Sequence, residues 1–434
     1  MKICMIGTGY VGLVSGTCFS DIGNQVYCVD KDINKINKLN SGISPIYEPG
    51  LDELIKKNFK AKRLIFTTNL KKAIEKSDII FICVGTPNKK NTLKVNLSYV
   101  YNCTKEILKF TNSRKIIITK STVPVGTGDE IEKILRKKRK LFSVISNPEF
   151  LREGEAIRDF RYPDRIVVGS NNKKALTVLK KLYSPLTNKG AKYFETSRRG
   201  AELIKYASNA FLATKITFIN EVANLCEKSG VNIEDISLGM GSDSRIGGRF
   251  LRAGPAYGGS CFAKDTKGLV FAAEKYKTNL SVVKSVIKSN HDRSNLLIKR
   301  IHKIIGKNLK NKKISFLGVT FKPNTDDMRD SSSLKMIPYL CKKGASVSYY
   351  DPSGKKDEFN NLKNCQYKDD VKKNCENSDL VILLTEWDEF KSINFKKINN
   401  KNNFKVYDLR NLYTPSEMKK NNIKYFSIGR PDTN

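Results

Sequence analysis

Near its start the chain reads KICMIGTGYVG (residues 2–12), an apolar run that passes directly into a glycine-rich turn. Residues 2–6 predict a strand, residues 11–22 a helix, and residues 25–30 a second strand. This order predicts a β-α-β unit. Further apolar runs alternate with helical stretches, as a parallel sheet covered on both faces requires. They lie at residues 79–84, 115–119 and 142–146.

The same plan returns near the C-terminus, where residues 313–319 predict a strand, 333–343 a helix and 346–350 a strand ending at Asp351. Between the two parts lies a long helix-compatible stretch without proline, residues 201–228. We therefore predict the α/β fold class, with two doubly wound Rossmann-like parallel-sheet domains joined by a long central helix.

The predicted division has three parts: a first Rossmann domain at residues 1–196, a central helical linker at 197–305, and a second Rossmann-like domain at 306–434. The long helix can also present an apolar face to a second subunit. We therefore assign dimerisation to the central part and expect a homodimer or a higher homo-oligomer.

Composition predicts a globular protein of the cytoplasm. At 434 residues the chain exceeds the size of one hydrophobic core, and 39% hydrophobic and 28% charged residues are ordinary values. No apolar run approaches the roughly 20 residues that span a bilayer. We expect neither a membrane anchor nor a signal peptide. Ten cysteines without a C-x-x-C pair, and only two histidines, predict a reducing compartment and no metal site.

The chain is strongly basic, with 79 Lys and Arg against 43 Asp and Glu and a net charge of +36. Such an excess first indicates a polyanionic partner. The basic residues are nevertheless spread through every segment, and only residues 136–140 form a dense run. We interpret the charge as a solvated surface and expect no nucleic-acid partner. Attraction of a diphosphate-bearing substrate stays open.

The glycine-rich turn has the pattern G-x-G-x-x-G in an informative context, because it follows a strand and opens a helix. Its glycines permit close backbone approach to a pyrophosphate, which the helix N-terminus then faces. Asp30 ends the second strand 18 residues after Gly12, where a carboxylate accepts hydrogen bonds from the adenosine ribose of NAD. Lys31 and Lys35 keep NADP open as the alternative. The predicted NAD contacts are Gly7, Gly9, Tyr10, Val11, Gly12, Asp30 and Lys35.

Two more segments follow predicted strands at the carboxyl edge of the first sheet, where such sheets bind ligands. They are Gly85-Thr86-Pro87 and STVPVG at residues 121–126. Turn formation alone would explain either sequence. Their common position with the glycine-rich turn favours cofactor contact, so Thr86 and Thr122 join the predicted NAD site.

Residues 258–265, GGSCFAKD, place Cys261 after two glycines and ahead of Lys264 and Asp265. Paired glycines clear space for a substrate, and nearby positive charge favours the nucleophilic thiolate. Beside a hydride acceptor, such a thiol can capture an aldehyde as a thiohemiacetal. Its oxidation gives a thioester, which water hydrolyses to an acid. This chemistry predicts a four-electron oxidation with two NAD reduced per substrate.

Nearly the full length of the chain resembles the UDP-glucose and GDP-mannose dehydrogenase family. Besides the segments above, the resemblance includes NPEFLREG at residues 147–154, the pair Lys205 and Asn209, and FKPNTDDMR at residues 321–329. It implies oxidation of UDP-glucose to UDP-glucuronate. It also implies that the first domain binds NAD and the last binds the UDP-sugar.

Catalytic roles are implied by the resemblance residue by residue. Cys261 is the implied nucleophile, and Lys205 with Asn209, four residues apart on one helix face, are the implied oxyanion donors. Glu149, Thr122 and Asp265 are implied around the water and the substrate hydroxyl, and which carboxylate is the base stays open. The further implied cofactor contacts are Glu153, Lys264 and Arg329.

The substrate contacts implied by the resemblance include many residues of these same segments. They are Glu149, Phe150, Leu151, Arg152, Glu153, Lys205, Asn209, Arg245, Phe250, Leu251, Arg252, Ala253, Gly254, Gly258, Lys322 and Arg410. Arginine suits a diphosphate through its planar donor fork, although Arg245 and Arg410 can equally be ordinary surface cations.

Alternatives to this interpretation stay open. GDP-mannose or a UDP-N-acetylhexosamine would be the substrate in other branches of the same family. From a different class, a catalytically silent nucleotide-binding or polyanion-binding protein would keep the fold. The complete Cys261 segment argues against a silent protein.

Overall fold

The computed structural model describes residues 1–87, 92, 95–398, 401 and 403–431. The backbone forms two compact units. The first comprises Met1–Ser208 and Lys267–Asn279, and the second comprises Asn209–Thr266 and Leu280–Asn434. The boundaries between these two units at residues 208 and 266 fall inside helices. The division into three parts at residues 196 and 305 stays a prediction.

The described part of the first unit contains an eight-stranded sheet with the order β3-β2-β1-β4-β5-β6-β7-β8. Its neighbouring strands are parallel, except that β6 and β7 are antiparallel. The first six strands have the order of a doubly wound dinucleotide-binding domain. The strands are β1 (Lys2–Ile6), β2 (Gln25–Val29), β3 (Leu64–Thr67), β4 (Ile79–Ile82), β5 (Lys115–Thr119), β6 (Phe142–Ser146), β7 (Arg165–Gly169) and β8 (Lys192–Thr196).

Alternate residues of β1 pack on opposite faces of this sheet. Ile3 and Met5 belong to one buried cluster, and Cys4 and Ile6 belong to another. Successive side chains of a strand point to opposite faces, so a strand covered on both faces is apolar throughout. The helices of this unit are α1 (Tyr10–Asp21), α2 (Ile33–Asn40), α3 (Leu51–Lys60), α4 (Leu70–Lys76), α5 (Ser98–Phe110), α6 (Thr127–Ile134), α7 (Ala156–Arg161) and α8 (Lys173–Thr187).

The described residues of the second unit repeat the strand order of the first six strands of the first sheet. Its six-stranded sheet has the order β11-β10-β9-β12-β13-β14, and each neighbouring pair is parallel. The strands are β9 (Lys313–Leu317), β10 (Ser346–Tyr350), β11 (Cys365–Tyr367), β12 (Leu380–Leu383), β13 (Lys405–Asp408) and β14 (Lys424–Ser427). The predicted fold class, with two doubly wound sheets, is confirmed.

The predicted long helix is also confirmed, as α9 (Arg198–Ser229), whose 32 residues span about 48 Å. The remaining helices are α10 (Ile233–Gly241), α11 (Gly259–Lys275), α12 (Ser281–Ile305), α13 (Ser333–Lys342), α14 (Val371–Cys375), α15 (Phe395–Ile398) and α16 (Pro415–Lys420). Short 3-10 helices lie at Leu135–Leu141, Asp357–Phe359 and Asp388–Ser392. Among the described residues, none of the helices has the length and apolar character that crossing a bilayer requires.

Candidate active site

The turn between β1 and α1 leaves no room for side chains at two of its glycines. Gly7 has a φ of +101°, and a Cβ on it would lie 2.8 Å from the carbonyl oxygen of Cys83. A Cβ on Gly12 would lie 1.9 Å from the carbonyl oxygen of Gly7. A Cβ on Gly9 would meet no atom within 4 Å, so this side of the turn is open. A pyrophosphate can therefore approach the N-terminus of α1 there.

Asp30 follows β2 and is tied to the same turn. Its Oδ2 accepts hydrogen bonds from Thr8, from the backbone N–H at 2.9 Å and from the hydroxyl at 2.8 Å. Lys35 Nζ lies 3.5 Å from the same oxygen. Burial raises the pKa of the Asp30 carboxyl, but the hydrogen bonds from Thr8 and Asp32 and the charge of Lys35 outweigh it and hold the pKa below its usual range. Asp30 is therefore an ionised acceptor, as NAD recognition requires.

Glu48 joins the start of α1 to the loop at residue 154, a link that the sequence did not reveal. Its Oε2 accepts from Gly154 N at 2.7 Å and from the Tyr10 hydroxyl, and its Oε1 accepts from Ile157 N at 3.2 Å. Tyr10 therefore presents its hydroxyl to protein groups. The partners are 38 to 109 residues away in the chain, and no local motif marks them.

Thr86 and Thr122 meet at the carboxyl ends of β4 and β5. The hydroxyl of Thr86 donates to the carbonyl oxygen of Thr122 at 2.9 Å, and the hydroxyl of Ser121 donates to the carbonyl oxygen of Val84 at 2.7 Å. Adjacent parallel strands bring their carboxyl ends to one edge of the sheet. Both predicted cofactor residues therefore lie at the edge that also carries the glycine-rich turn.

Lys205 and Glu149 form a buried ion pair. Lys205 Nζ lies 3.2 Å from Glu149 Oε1, and the two side chains are 3% and 4% exposed. Glu149 Oε2 accepts from Leu151 N at 2.6 Å, and Phe150 stacks beneath the guanidinium of Arg165. A buried pair of this kind needs further hydrogen bonds to offset desolvation, and the Leu151 backbone supplies one.

Glu202 lies three residues before Lys205 on α9 and anchors the loop that follows β5. It accepts from Gly126 N at 2.7 Å, Gly128 N at 2.8 Å and the Ser146 hydroxyl at 2.9 Å. Burial raises the pKa of the Glu202 carboxyl despite these hydrogen bonds. The sequence analysis did not identify this carboxylate, because its partners lie 56 to 76 residues away.

A second buried cation, Lys120, holds the start of the 147–154 segment. Its Nζ lies 3.3 Å from both Asn147 Oδ1 and the Tyr183 hydroxyl. Burial lowers the pKa of Lys120 to about 8, although Cys83 and Glu149 raise it. Lys120 therefore positions the backbone that precedes Glu149, a role that its place after a β-strand did not reveal.

Asp265 contacts two other predicted site residues, Asn209 and Lys264. Asp265 is fully buried; its Oδ2 accepts from Asn209 Nδ2 at 2.6 Å, and its Oδ1 lies 2.9 Å from Lys264 Nζ. Cys261 is the third residue of α11 and is half-buried, with its sulfur 3.4 Å from the Ser260 hydroxyl. Cys261 and Asp265 are four residues apart, so they share one face of the helix.

The paired glycines before Cys261 lie in close contact with residues 321–330. A Cβ on Gly258 would lie 2.7 Å from the carbonyl oxygen of Asp330, and one on Gly259 would lie 2.6 Å from the ring of Phe321. Gly259 N also donates to the carbonyl oxygen of Arg329 at 2.7 Å. The expectation that both glycines clear space for substrate stays a prediction. Both glycines allow residues 321–330 to pack against the start of α11.

Four predicted arginines already have protein partners. Arg152 pairs with Glu155 and Asp159, and Arg245 pairs with Asp243. The guanidinium of Arg329 binds Asp327. Arg410 donates to the carbonyl oxygens of Phe321 at 2.8 Å and Leu384 at 2.9 Å. Their substrate and cofactor roles stay predictions.

The other predicted residues differ in exposure. Glu153 is buried, and Lys322 and Val11 are half-buried. Phe250 has a φ of +66°, in the left-handed region that favours glycine. In the segment that follows, Leu251, Ala253 and Gly254 are buried and Arg252 is exposed. Within the described ranges, no cluster of three metal-ligating side chains is present.

The open glycine-rich turn and the ionised Asp30 define the first unit as a dinucleotide-binding domain of an NAD-dependent dehydrogenase. The chain matches the models of three domains of one family: the NAD binding domain at residues 1–187, the central domain at 199–292 and the UDP binding domain at 315–415. The chain belongs to the UDP-glucose/GDP-mannose dehydrogenase family. It is an NAD-dependent nucleotide-sugar dehydrogenase.

Individual relatives are similar along the whole chain. A UDP-glucose 6-dehydrogenase of Rhizobium meliloti (strain 1021) is 46% identical over 439 residues and covers 100% of both chains. One from Rickettsia felis is 45% identical over 432 residues, which are 99% of this chain and 96% of that relative. A solved UDP-glucose dehydrogenase from Pyrobaculum islandicum has a TM-score of 0.90 and 31% identity, covering 99% of this chain and 97% of that one.

Proposed function

We propose that this protein oxidises UDP-glucose to UDP-glucuronate and reduces two NAD per sugar. The similar relatives carry the name UDP-glucose 6-dehydrogenase, and the chain contains the UDP binding domain of the family. The observation that carries the chemistry is Cys261, a half-buried thiol in the first turn of α11 with Asp265 one turn further along. The N-terminal turn of a helix stabilises negative charge, which favours a thiolate.

The other cysteines are poor candidates for the nucleophile. Seven of the ten are buried, and burial raises the pKa of each of these thiols. Cys341 and Cys365 are half-buried, but they lie near the end of α13 and on β11. Cys261 alone combines partial exposure with a helix N-terminus.

The proposed reaction begins with removal of the C6 hydroxyl proton and a hydride, which leaves an aldehyde. The Cys261 thiolate attacks the aldehyde carbon, so that a C–S bond forms, the C=O π bond opens and the oxygen takes a proton to give a thiohemiacetal. Loss of a second proton and hydride gives a thioester, and water breaks the C–S bond to release the carboxylate and the thiol. When bound, NAD supplies the hydride acceptor for both oxidations.

The residues around this chemistry have distinct proposed roles. Gly9 and the N-terminus of α1 hold the pyrophosphate of NAD, and Asp30 accepts from its ribose. Lys205 and Asn209 donate to the oxygen that becomes negative in each addition step. Both carboxylates of the set, Glu149 and Asp265, are buried, and each accepts a hydrogen bond from one of these donors, so both are candidates for the base.

Stoichiometry tests the proposed function directly. We expect purified protein with NAD and UDP-glucose to form two NADH per UDP-glucuronate, and NADP to be reduced poorly because Asp30 repels a 2′-phosphate. Absorbance at the NADH band and chromatography of the sugar nucleotide measure both products. Turnover of GDP-mannose or a UDP-N-acetylhexosamine but not UDP-glucose would contradict the substrate. NAD binding without any turnover would point to a catalytically silent protein.

We also propose a homodimer that forms through α9. Phe211, Phe218 and Leu225 are 66%, 48% and 65% exposed and recur every seven residues, which places them along one side of the helix. Exposed apolar stripes mark interaction surfaces. A second copy is the natural occupant, because a symmetric dimer places the same stripe on both partners.

Charge introduced into this stripe tests the dimer. We expect the double variant Phe211→Lys/Phe218→Lys to sediment as a monomer, because two buried ammonium groups per subunit would oppose association. The control is Tyr162→Lys, which changes an equally exposed aromatic outside α9. Sedimentation of the unaltered protein as a monomer at micromolar concentration would exclude the dimer.

A cytoplasmic location is the last part of the proposal. Each of the ten cysteines is a free thiol. Reducing compartments keep thiols in this state, and the proposed mechanism needs a free thiol at Cys261.

A further inference from the structure

The loop that leads to Cys261 is held by side chains of two helices. Gly254 is buried; its N–H donates to Asn220 Oδ1 of α9 at 2.8 Å, and its carbonyl oxygen accepts from Arg293 Nε of α12 at 2.7 Å. Both polar groups of this residue are therefore satisfied by side chains rather than by a neighbouring strand.

Three residues later the same arrangement is repeated. Asn290 Oδ1 accepts from Tyr257 N at 2.9 Å, and Asn290 Nδ2 donates to the carbonyl oxygen of Tyr257 at 3.0 Å. Asn290 and Arg293 are three residues apart on α12, so they lie on one side of that helix. Gly254 and Tyr257 are likewise three residues apart in the sequence. Side chains of α12 therefore bind backbone groups of both Gly254 and Tyr257.

Arg293 is an unusual residue for a purely structural contact. Its side chain is buried at 6% exposure, and its hydrogen bonds within the described residues go to amide oxygens of Gly254, Asn220 and Asn224. Burial lowers the pKa of the guanidinium to about 10. Well-packed apolar residues often replace buried charges without loss of stability, so folding alone does not require a cation here.

We propose that Arg293 and Asn290 are positioning residues that hold the loop from Gly254 to Tyr257 in its sugar-nucleotide-binding conformation. The inference rests on the proposed function, in which residues 250–254 and Gly258 contact the UDP-sugar. A loop bound at both polar groups of two residues is pre-organised, so the ligand does not bear the cost of ordering it. Loss of either side chain frees the loop before any substrate arrives.

Kinetics and hydrogen exchange together test this role. We expect Arg293→Met and Asn290→Ala to raise the KM for UDP-glucose about tenfold, the equivalent of one lost hydrogen bond of a buried or charged group, with the KM for NAD unchanged. Amide exchange in the ligand-free peptide 250–258 should accelerate in both variants. Arg293→Lys should raise the KM for UDP-glucose less than Arg293→Met does, because a lysine can still donate to the Gly254 carbonyl oxygen.

Arg300 provides the matched control. It lies seven residues further along α12, is also largely buried, and pairs with Glu227. Arg300→Met should lower Tm without changing the KM for UDP-glucose or exchange in peptide 250–258. If Arg293→Met fails to fold, Asn290→Ala carries the same prediction.

The two proposals fail in different ways. Unchanged exchange in peptide 250–258 would show that the side chains do not hold the loop. Faster exchange with an unchanged KM for UDP-glucose would show that the held conformation does not serve the substrate. Absence of UDP-glucose turnover by the unaltered protein would instead overturn the proposed function, and the exchange comparison would still decide whether the loop is held.

Discussion

Cys261→Ala should abolish formation of UDP-glucuronate while leaving NAD binding intact. The substitution removes the sulfur that captures the aldehyde, so the thiohemiacetal and the thioester cannot form. Loss of an essential nucleophile lowers turnover by on the order of 10⁴-fold or more. The glycine-rich turn and Asp30 are untouched, so calorimetric titration should give the same NAD affinity as the unaltered protein.

A carbonyl-trapping reagent makes this prediction sharper. Without the thiol, only the first oxidation can proceed, so the trapped aldehyde should accumulate and the yield should fall from two NADH per sugar to one. Cys341→Ala is the control, because Cys341 is also half-buried but lies at the end of a helix. Sustained acid formation by Cys261→Ala would rule out the thioester route.

Lys205→Met should lower kcat by about 10²- to 10³-fold, as expected when one donor to a developing oxyanion is removed. The same change leaves Glu149 buried without its cation, at a cost of roughly 3–5 kcal/mol of folding free energy. Turnover must therefore be compared at a temperature where circular dichroism shows the variant folded.

A second substitution separates catalysis from stability. In Lys205→Met/Glu149→Gln the buried charge is gone, so the melting temperature should largely recover while turnover stays low. Lys215→Met is the control on the same helix; this lysine donates to the carbonyl oxygens of Ile246 and Gly247. If Lys205→Met has the same kcat as the unaltered protein, the oxyanion role is refuted. Recovery of kcat together with stability in the double variant would assign Lys205 a structural role only.

Local patterns were sufficient for much of the architecture. The order of β1, the glycine-rich turn, α1 and β2 follows from a change of hydrophobic period around three glycines. The repeat of this order in the second sheet was visible for the same reason. The antiparallel pairing of β7 with β6 was not, because a short apolar strand does not reveal its direction.

The polar groups that support the candidate site were less predictable. Glu48, Lys120 and Glu202 are single charged residues in unremarkable local sequence, yet each is buried and bound to distant parts of the chain. The resemblance identified Lys205 and Glu149 separately but did not reveal that they pair. The arginines Arg152, Arg245 and Arg329 were expected to meet ligands, and each lies against a nearby carboxylate.

Sequence alone was enough for the α/β class, the dinucleotide turn with Asp30, and the choice of Cys261 as the candidate nucleophile, whereas its place in the first turn of a helix came from the structure. These features depend on residues that are close together in the chain, so hydrophobic periodicity and the positions of glycines predict them. Only the tertiary structure determined that Glu149 binds Lys205, that Asp265 binds Asn209, and that the two glycines before Cys261 accommodate Phe321 and Asp330. Those contacts join residues 56 to 72 positions apart, and burial rather than local pattern selects which polar groups must find each other.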